Sequence, residues 1–172
     1  MGVVAFTAHH LIAADAPEEW IRARLDPDVA GPMRPAFLVA LAERVGRTAD
    51  CVDVLLAADP LGGEPELERT DRADHPRGAR ARAHRVEVRA FEDATGAATV
   101  ILGRGLALRL EVAIEVDPTA RDHGLATRAL RQARKLAGDE PLFAQTSPGN
   151  AASLRALLNA GFRPIGGEAL FY

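Results

Sequence analysis

The clearest pattern in the chain is an alternation between residues 106 and 116, in which every second residue is Leu, Val or Ile and the residues between them are Ala, Arg or Glu. The apolar positions are Leu106, Leu108, Leu110, Val112, Ile114 and Val116. A period of two is typical of a strand with one buried face, so this segment is predicted to be a long β-strand. Two shorter strands, Arg85–Phe91 and Ala98–Leu102, are predicted before it, with a hairpin turn at residues 93–96 between them. Together they predict an antiparallel meander.

Beyond the long strand, the apolar positions change to helical spacing. A helix is predicted from the apolar residues Leu125, Ala129, Leu130, Ala133 and Leu136. A strand at Pro141–Thr146 and a helix at Asn150–Ala160 follow it. Two final short strands, Phe162–Ile165 and Glu168–Tyr172, are predicted on either side of Gly166-Gly167.

Residues 1–48 are predicted to be a mostly helical extension. Asp15 before Pro17 is a helix-capping signature, and it predicts a first helix just beyond. Pro35–Val45 carries apolar residues at helical spacing, with Gly46 as the residue that ends a second helix.

The segment that follows alternates short elements with a loop. Cys51–Ala57 is an apolar run between turn signals and is predicted to be a strand, with the Cys51 side chain in the core. Residues 59–72, rich in Pro, Gly and acidic residues, are predicted to form a loop. Asp74-His75-Pro76 is another capping signature and opens a short helix that ends near His84.

These elements predict an α/β (α+β) fold with a mixed, mostly antiparallel sheet of about six or seven strands flanked by helices. The predicted organisation is a helical extension at residues 1–48 and a domain at residues 49–172, forming one compact unit overall. A chain of 172 residues is long enough to bury a core of its own.

Composition narrows the functional classes. Hydrophobic residues make up 48% and charged residues 26% of the chain, which is ordinary for a soluble globular protein. Because the net charge is -3, neither nucleic acid nor an anionic membrane is an expected partner. Neither a signal peptide nor a membrane span is predicted, because the apolar runs are short. Cys51 is the single cysteine, which excludes an intrachain disulfide and suits a cytoplasmic location.

The junction between the long strand and the next helix carries the first chemical signal. It reads Arg121-Asp122-His123-Gly124-Leu125-Ala126. The first N–H groups of a helix lack partners within it and lie at the positive end of its dipole, which suits a phosphate group. Gly124 allows a phosphate to approach the backbone, and Arg121 adds a permanent cation. Candidates for a further phosphate lie along the same helix at Arg128, Arg131 and Lys135.

A second segment starts at Asn150 and ends at Gly161-Phe162. On its own, Asn150 is a plain helix N-cap. Together and in this order, the two segments resemble the GNAT superfamily of N-acetyltransferases, whose first motif is Arg/Gln-x-x-Gly-x-Gly/Ala and whose second is an Asn-led helix ending in Gly-Phe. The resemblance covers residues 106–172 well and the first eighty residues hardly at all.

The resemblance implies a GNAT fold and an acetyl-CoA-dependent N-acetyltransferase without a metal. The acetyl group would pass directly to a primary amine of a small molecule or peptide in a ternary complex. In that family the backbone at the end of the long strand pairs with pantetheine, and an N–H there polarises the thioester carbonyl. The residues implied to bind the cofactor are Val116, Arg121, His123, Gly124, Leu125, Ala126, Thr127, Asn150 and Ser153.

The acid and base of the reaction are less well defined. Glu111 and Glu115 project from the same face of the long strand, and Glu111 is the favoured base; the alternative is that both are solvated or salt-bridged. Many relatives carry a Tyr in the second-motif helix that protonates the leaving thiolate, and this place holds Leu157. The acid is therefore Tyr172, which is the single tyrosine, or else water or another group. The remaining alternative is that the reaction needs no acid.

Two other readings stay open. One is an acyl-CoA-binding sensor or scaffold without catalysis, and the other is an α/β domain unrelated to CoA. The amine acceptor is not defined, and a homodimer is left open. His9-His10 is not expected to bind a metal, since adjacent strand residues point to opposite faces. The arginines of residues 77–89 are interpreted as a solvated face rather than a nucleic-acid surface.

Overall fold

The computed structural model describes residues 1–70 and 76–172, which form nine strands and five α-helices. The strands are β1 (Gly2–Phe6), β2 (His9–Ala13), β3 (Ala49–Ala58), β4 (Glu68–Thr70), β5 (Val86–Glu92), β6 (Ala98–Arg104), β7 (Leu110–Val116), β8 (Leu142–Thr146) and β9 (Arg163–Phe171). The helices are α1 (Glu18–Arg22), α2 (Pro35–Val45), α3 (Pro76–His84), α4 (Leu125–Leu136) and α5 (Ala151–Asn159). Asp74 and His75 of the predicted cap lie outside the described residues.

The strands form one sheet in the order β2-β1-β9-β3-β8-β7-β6-β5-β4. This confirms the predicted α/β class and the mixed sheet, which has nine strands rather than about six or seven. β1, β2 and β4 are the strands that the pattern did not indicate. β3 comes early in the chain yet lies between β8 and β9, so this part of the sheet depends on pairings between distant segments.

The chain divides into two compact units, and unit one consists of residues 1–55 and 165–172. Its centre is β1, which pairs antiparallel with β2 on one side and with β9 on the other. α2 packs its apolar side chains against these strands. The buried residues of this cluster are Val3, Phe37, Leu38, Leu41, Ala42, Ala169 and Phe171.

The expectation of a mostly helical N-terminus is wrong for residues 2–13, which form the β1–β2 hairpin. Within the described residues, α1 has no side-chain cap, and its N-cap is Pro17 rather than Asp15. α2 has the predicted bounds, and Gly46 ends it in the left-handed conformation with φ 63°. Here the local signals were strong enough to define the element.

The end of the chain is one continuous strand, β9, rather than the two predicted short strands. Gly166 pairs with Phe6 of β1, and a Cβ at Gly166 would overlap the Ala5 carbonyl. The glycine therefore permits a close strand approach, which a sequence pattern does not distinguish from a turn.

The predicted burial of Cys51 is also wrong, because its side chain is exposed on β3. The thiol donates to Asp53 Oδ1 at 3.0 Å. This hydrogen bond, with partial burial and the negative charges of Asp53 and Asp50, raises the pKa of Cys51 to about 11. Cys51 is thus a neutral thiol near pH 7 rather than a nucleophile.

Unit two consists of residues 56–164 and contains the predicted meander. β5, β6 and β7 are antiparallel neighbours, and the Gly96 N–H donates to the Asp93 carbonyl at 2.8 Å in the predicted turn. β7 begins at Leu110 rather than Leu106, because residues 106–108 form a 3-10 turn in which φ of Ala107 is 55°. β4 extends the meander by pairing with β5 from within the predicted loop.

Helices α3, α4 and α5 of unit two have nearly the bounds that the spacing and capping signals predicted. α4 buries Ala129, Leu130 and Ala133 and packs on β6 and β7 and against α5. β8 follows α4 and runs parallel to β7. α3 packs against β5, β6 and β7, so it and α4 both contact the strand that leads into the candidate site.

Candidate functional site

The backbone of β7 presents alternate residues to its two neighbours. At the two ends of the β6–β7 ladder, the Gly105 N–H donates to the Arg109 carbonyl at 3.1 Å and the Asp117 N–H to the Ala97 carbonyl at 2.8 Å. Hydrogen-bonded and non-hydrogen-bonded pairs alternate along an antiparallel ladder. The N–H and C=O groups of Ile114 and Val116 therefore point away from β6, toward the side of β8.

β8 approaches β7 at the beginning of both strands. Their register pair is Glu111 with Phe143. Past this pair, the Val116 carbonyl accepts a hydrogen bond from Arg121 Nε at 3.3 Å. Near its end, the edge of β7 thus faces the Arg121 side chain of the following turn. The sequence predicted that the pantetheine arm of the cofactor pairs with this same edge.

The chain leaves β7 through a short 3-10 turn fixed by Asp117. Its carboxylate accepts from the Thr119 hydroxyl at 2.6 Å and from the Thr119 N–H at 2.8 Å. These two hydrogen bonds, with the nearby charge of Arg121, hold the pKa of Asp117 below its usual range. The carboxylate is consequently ionised at neutral pH and keeps the turn in place.

The N-terminus of α4 is open, as predicted. Gly124 is its N-cap, with φ 72° in the left-handed region, and within the described part of the chain no side chain caps the helix. Residues 121–124 are exposed. The first amides of the helix belong to Leu125, Ala126 and Thr127, and Arg128 N–H makes the first bond within it, to the Gly124 carbonyl at 3.1 Å. These amides are arranged as a helix-terminus anion site.

Arg121 and three of the cations along α4 differ in what they bind. Arg128 folds back to the start of the helix, where its Nη1 donates to the His123 carbonyl at 2.9 Å. Arg131 donates to the Asn159 carbonyl at 2.8 Å, and Lys135 to the Glu64 carbonyl at 3.1 Å. Arg121 and Arg128 therefore flank the turn, whereas Arg131 and Lys135 hold other segments of unit two.

Asn150 and Ser153 form a helix cap. Asn150 Oδ1 accepts from the Ser153 N–H at 3.1 Å, which ties the two predicted cofactor residues to each other. The other end of α5 is capped by Arg134, whose Nη1 donates to the Ala160 carbonyl at 2.7 Å. Asn150 of the second motif thus caps the start of α5, and a side chain of α4 caps its end.

Glu111 and Glu115 share a face of β7 but have different surroundings. The Glu111 residue is 2% exposed and accepts from Arg85 Nε and Arg109 Nε, each at 2.8 Å. Gln145 Nε2 also donates to it, at 3.1 Å. The Glu115 side chain is 41% exposed and accepts from Arg77 Nε at 3.2 Å. Only Glu115 has a carboxylate that solvent reaches readily.

Three solved structures resemble this chain. They are a GNAT-family acetyltransferase from Novosphingobium aromaticivorans DSM 12444 (23% identity, TM-score 0.48, 72% of this chain and 66% of that chain), one from Colwellia psychrerythraea (13%, 0.51, 80% and 62%) and a GCN5-related N-acetyltransferase from Sphaerobacter thermophilus (11%, 0.45, 79% and 56%). The Colwellia structure, with the highest TM-score of the three, decides the fold. The chain has the GNAT fold. No protein-family model and no curated protein matches it.

The chain spans about three fifths of the length of these GNAT structures: 66%, 62% and 56%. Fold identity confirms the architecture that the two motifs implied, with the first motif at the start of α4 and the second in α5. Activity, acceptor and catalytic residues are separate questions, because at this level of identity the comparison bears on the fold alone.

Within the GNAT fold of this chain, Tyr172 belongs to unit one, whereas the other predicted site residues belong to unit two. Tyr172 is 38% exposed, and its backbone exchanges two hydrogen bonds with Thr48, at 3.0 and 3.1 Å. The place of the family's helix tyrosine, Leu157, is 5% exposed and packs in the core. α5 therefore offers an apolar side chain at this position.

Metal-binding proteins and membrane-spanning proteins are two other functional classes with recognisable structural features. Among residues 1–70 and 76–172, no group of three or more His, Cys, Asp or Glu side chains is arranged to hold a metal ion. The same residues contain no helix of the length and apolarity needed to cross a bilayer. His9 of the discounted histidine pair stacks on Phe6, with ring centroids 5.0 Å apart.

The residues that sequence reasoning missed are Arg85, Arg109 and Gln145. Arg109 lies two residues before Glu111, whereas Arg85 and Gln145 reach its carboxylate from segments far away in the chain. A hydrophobic pattern identifies Glu111 as a strand residue, but it carries no signal for which distant side chains meet its carboxylate.

Proposed function

We propose that this chain is an acetyl-CoA-dependent N-acetyltransferase that moves an acetyl group to a primary amine of a small molecule or peptide. The observation that carries the proposal is the uncapped start of α4 at Gly124, directly after the strand whose edge amides face β8. The GNAT fold of the chain supports the interpretation of this arrangement as a cofactor site. When bound, acetyl-CoA supplies an acetyl group activated as a thioester.

The residues present fit the charge of this cofactor. The amides of Leu125, Ala126 and Thr127 are suited to its diphosphate, and the dipole of α4 adds about 0.3–1 kcal/mol per charge. Arg121 and Arg128, at the same turn, supply permanent cations. A side chain at Gly124 would project beside Arg128, since a Cβ there would lie 3.7 Å from Arg128 Nη1.

The edge of β7 would orient the acyl end. The N–H groups of Ile114 and Val116 point toward β8, and preorganised N–H donors are among the strongest contributors to acyl transfer. Holding the amine and the thioester together contributes roughly 7–11 kcal/mol in well-oriented systems. The first of these effects depends on the position of β7.

The amine must lose a proton before it attacks, because a lysine-like amine has a pKa near 10.4. We assign the role of proton acceptor to Glu115 rather than to Glu111. Glu115 is accessible, and its exposed pairing with Arg77 costs little to break. Glu111 is buried with both oxygens engaged by arginines, so an incoming amine cannot reach it.

A thermal-shift measurement tests cofactor binding. At 100 times Kd, acetyl-CoA should stabilise the protein by about 2.7 kcal/mol, which is roughly 5–10 °C in melting temperature for a chain of this size. Gly124→Glu should abolish the shift by placing a negative side chain at the phosphate site. A flat response of the wild-type protein to millimolar acetyl-CoA would refute the proposal.

The matched control is Gly138→Glu at the other end of α4. Gly138 also has a positive φ, 67°, and no atom lies within 4 Å of a Cβ built there. It should suffer the same backbone strain and keep the acetyl-CoA shift. Should Gly124→Glu not fold, Arg121→Glu reverses an exposed charge at the same turn and should weaken binding.

A second candidate function is an acyl-CoA-binding sensor or scaffold without catalysis. Leu157, buried where many relatives carry an acid, favours it. Thiol release from acetyl-CoA across a panel of amines separates the two functions. Release that depends on an amine supports the enzyme, and cofactor binding with release no faster than hydrolysis supports the sensor. In the active case, Tyr172→Phe tests whether Tyr172 protonates the leaving thiolate.

A further inference from the structure

A buried polar cluster surrounds Glu111, and the proposed reaction leaves it without a chemical role. Its members are Arg85 between α3 and β5, Arg109 just before β7, and Gln145 in β8. The side chains of Glu111, Arg85 and Arg109 are 3%, 13% and 12% exposed. Three segments of unit two, around residues 85, 109–111 and 145, thus meet at a single carboxylate.

The cluster is built to hold this carboxylate. Arg85 bonds one oxygen and Arg109 the other, each at 2.8 Å, and Gln145 Nε2 adds a third donor at 3.1 Å. A Cβ at Gly105 would overlap the Glu111 carboxylate, so the β6–β7 connection leaves space for it. A buried charge is tolerated only with this degree of pairing.

The cluster lies where β7 and β8 meet. Glu111 is the register partner of Phe143, and the bond from Gln145 joins the strands again two residues further along β8. The Arg109 guanidinium lies 5.6 Å from the centroid of the Phe143 ring. Both contacts run from the start of β7 to β8, ahead of the Ile114 and Val116 amides.

We propose that Glu111 is a positioning residue that fixes the separation of β7 and β8. This inference rests on the proposed function, because the separation determines whether the pantetheine arm reaches the Ile114 and Val116 amides. The cluster would affect the binding of the pantetheine arm and not the binding of the nucleotide end. The nucleotide end binds at the start of α4, which is held by its own turn at Asp117.

The test replaces Gln145 with methionine, which has a similar length and lacks the N–H donor. Two probes are compared by calorimetry: acetyl-CoA, and the nucleotide fragment of coenzyme A that lacks the pantetheine arm. Gln145→Met should weaken acetyl-CoA binding about tenfold, equivalent to about 1.4 kcal/mol, and leave fragment affinity within about twofold. A side chain with a purely structural role would not separate the two probes.

Gln132→Met is the matched control, since Gln132 makes one hydrogen bond, from the Glu66 N–H at 3.0 Å, on the outer part of α4. It should change neither affinity. Arg109→Lys, which keeps the charge but loses the planar guanidinium beside Phe143, is the second variant should Gln145→Met not fold. It should show the same contrast between probes.

The outcomes separate this inference from the proposed function. Equal weakening of both probes, or unchanged acetyl-CoA affinity in both cluster variants, would overturn the positioning role while leaving cofactor binding intact. A wild-type protein that binds neither probe would overturn the proposed function and the positioning role with it. Glu111→Gln, if folded, should keep the shape of the wild-type pH–rate profile; loss of its acidic limb would identify Glu111 as the base instead.

Discussion

At the scale of single residues, side chains of the same type differ in how far solvent reaches them. Two glutamates project from one face of β7, yet two arginines and a glutamine enclose Glu111, whereas Glu115 remains open. Cys51 shows the converse, because it is exposed but held as a neutral thiol by Asp53. This difference in access is why we propose Glu115, and not Glu111, as the proton acceptor.

Glu115→Gln is expected to lower kcat/KM by up to about 10²–10⁴-fold, the usual contribution of a positioned base. The loss should be greatest at low pH and shrink as pH rises toward the pKa of the amine, since free amine then no longer needs a base. Turnover followed across pH by thiol release checks this, with acetyl-CoA affinity as the control. An identical pH–rate profile would remove Glu115 from the mechanism.

At the scale of elements, the helices of the two motifs have different ends. The start of α4 is open at Gly124, and residues 121–124 are exposed. The start of α5 is closed by the Asn150 side chain, and its last carbonyls are bound by Arg131 and Arg134. An open helix start can bind an anion, whereas a capped one contributes mainly stability.

Substitutions at Asn150 test this distinction. Asn150→Ala should cost about 1 kcal/mol of folding free energy, whereas Asn150→Asp should keep the cap and the stability. If Asn150 acts only as a cap, Asn150→Asp leaves acetyl-CoA affinity unchanged. Denaturant unfolding and calorimetry measure the two effects. A folded Asn150→Asp variant with much weaker cofactor binding would show that Asn150 contacts the cofactor phosphates, because the added charge would repel them.

At the scale of the whole molecule, unit one joins the two ends of the chain. β9 at the C-terminus pairs with β1 at the N-terminus, and its Ala169 and Phe171 are buried with Val3, Phe37 and Leu41. The first residues of the chain are thus part of the core that covers β9. A boundary at residue 48, as the sequence pattern suggested, would separate side chains that share this core.

A chain consisting of residues 49–172 is therefore expected to fold poorly. Removing residues 1–48 uncovers Phe171 and leaves β9 without its β1 partner. Each large apolar side chain that loses its burial costs about 1.5–3 kcal/mol, against a total stability of about 5–15 kcal/mol. Thermal unfolding and size-exclusion chromatography of both chains make the comparison. A truncated chain with a cooperative transition and an acetyl-CoA shift would establish residues 49–172 as an independent domain.

The sequence by itself determined the elements whose signals are local. The alternation along β7, the helical spacing of α4 and the glycines at positions 46 and 124 each indicate a conformation from a few neighbouring residues. α2 and α4 have nearly their predicted bounds, whereas β7 begins at Leu110 rather than Leu106. The GNAT fold followed because its two motifs occupy such local positions, one at the start of α4 and one along α5.

Tertiary structure alone decided what depends on distant partners. The insertion of β3 between β8 and β9 and the pairing of β9 with β1 each join segments that are far apart in the chain. The burial of Glu111 needs Arg85 and Gln145, which come from two other segments. Such contacts leave no period in the sequence, because the free energy of a buried ion pair or a strand pairing depends on neighbours that only the folded chain brings together.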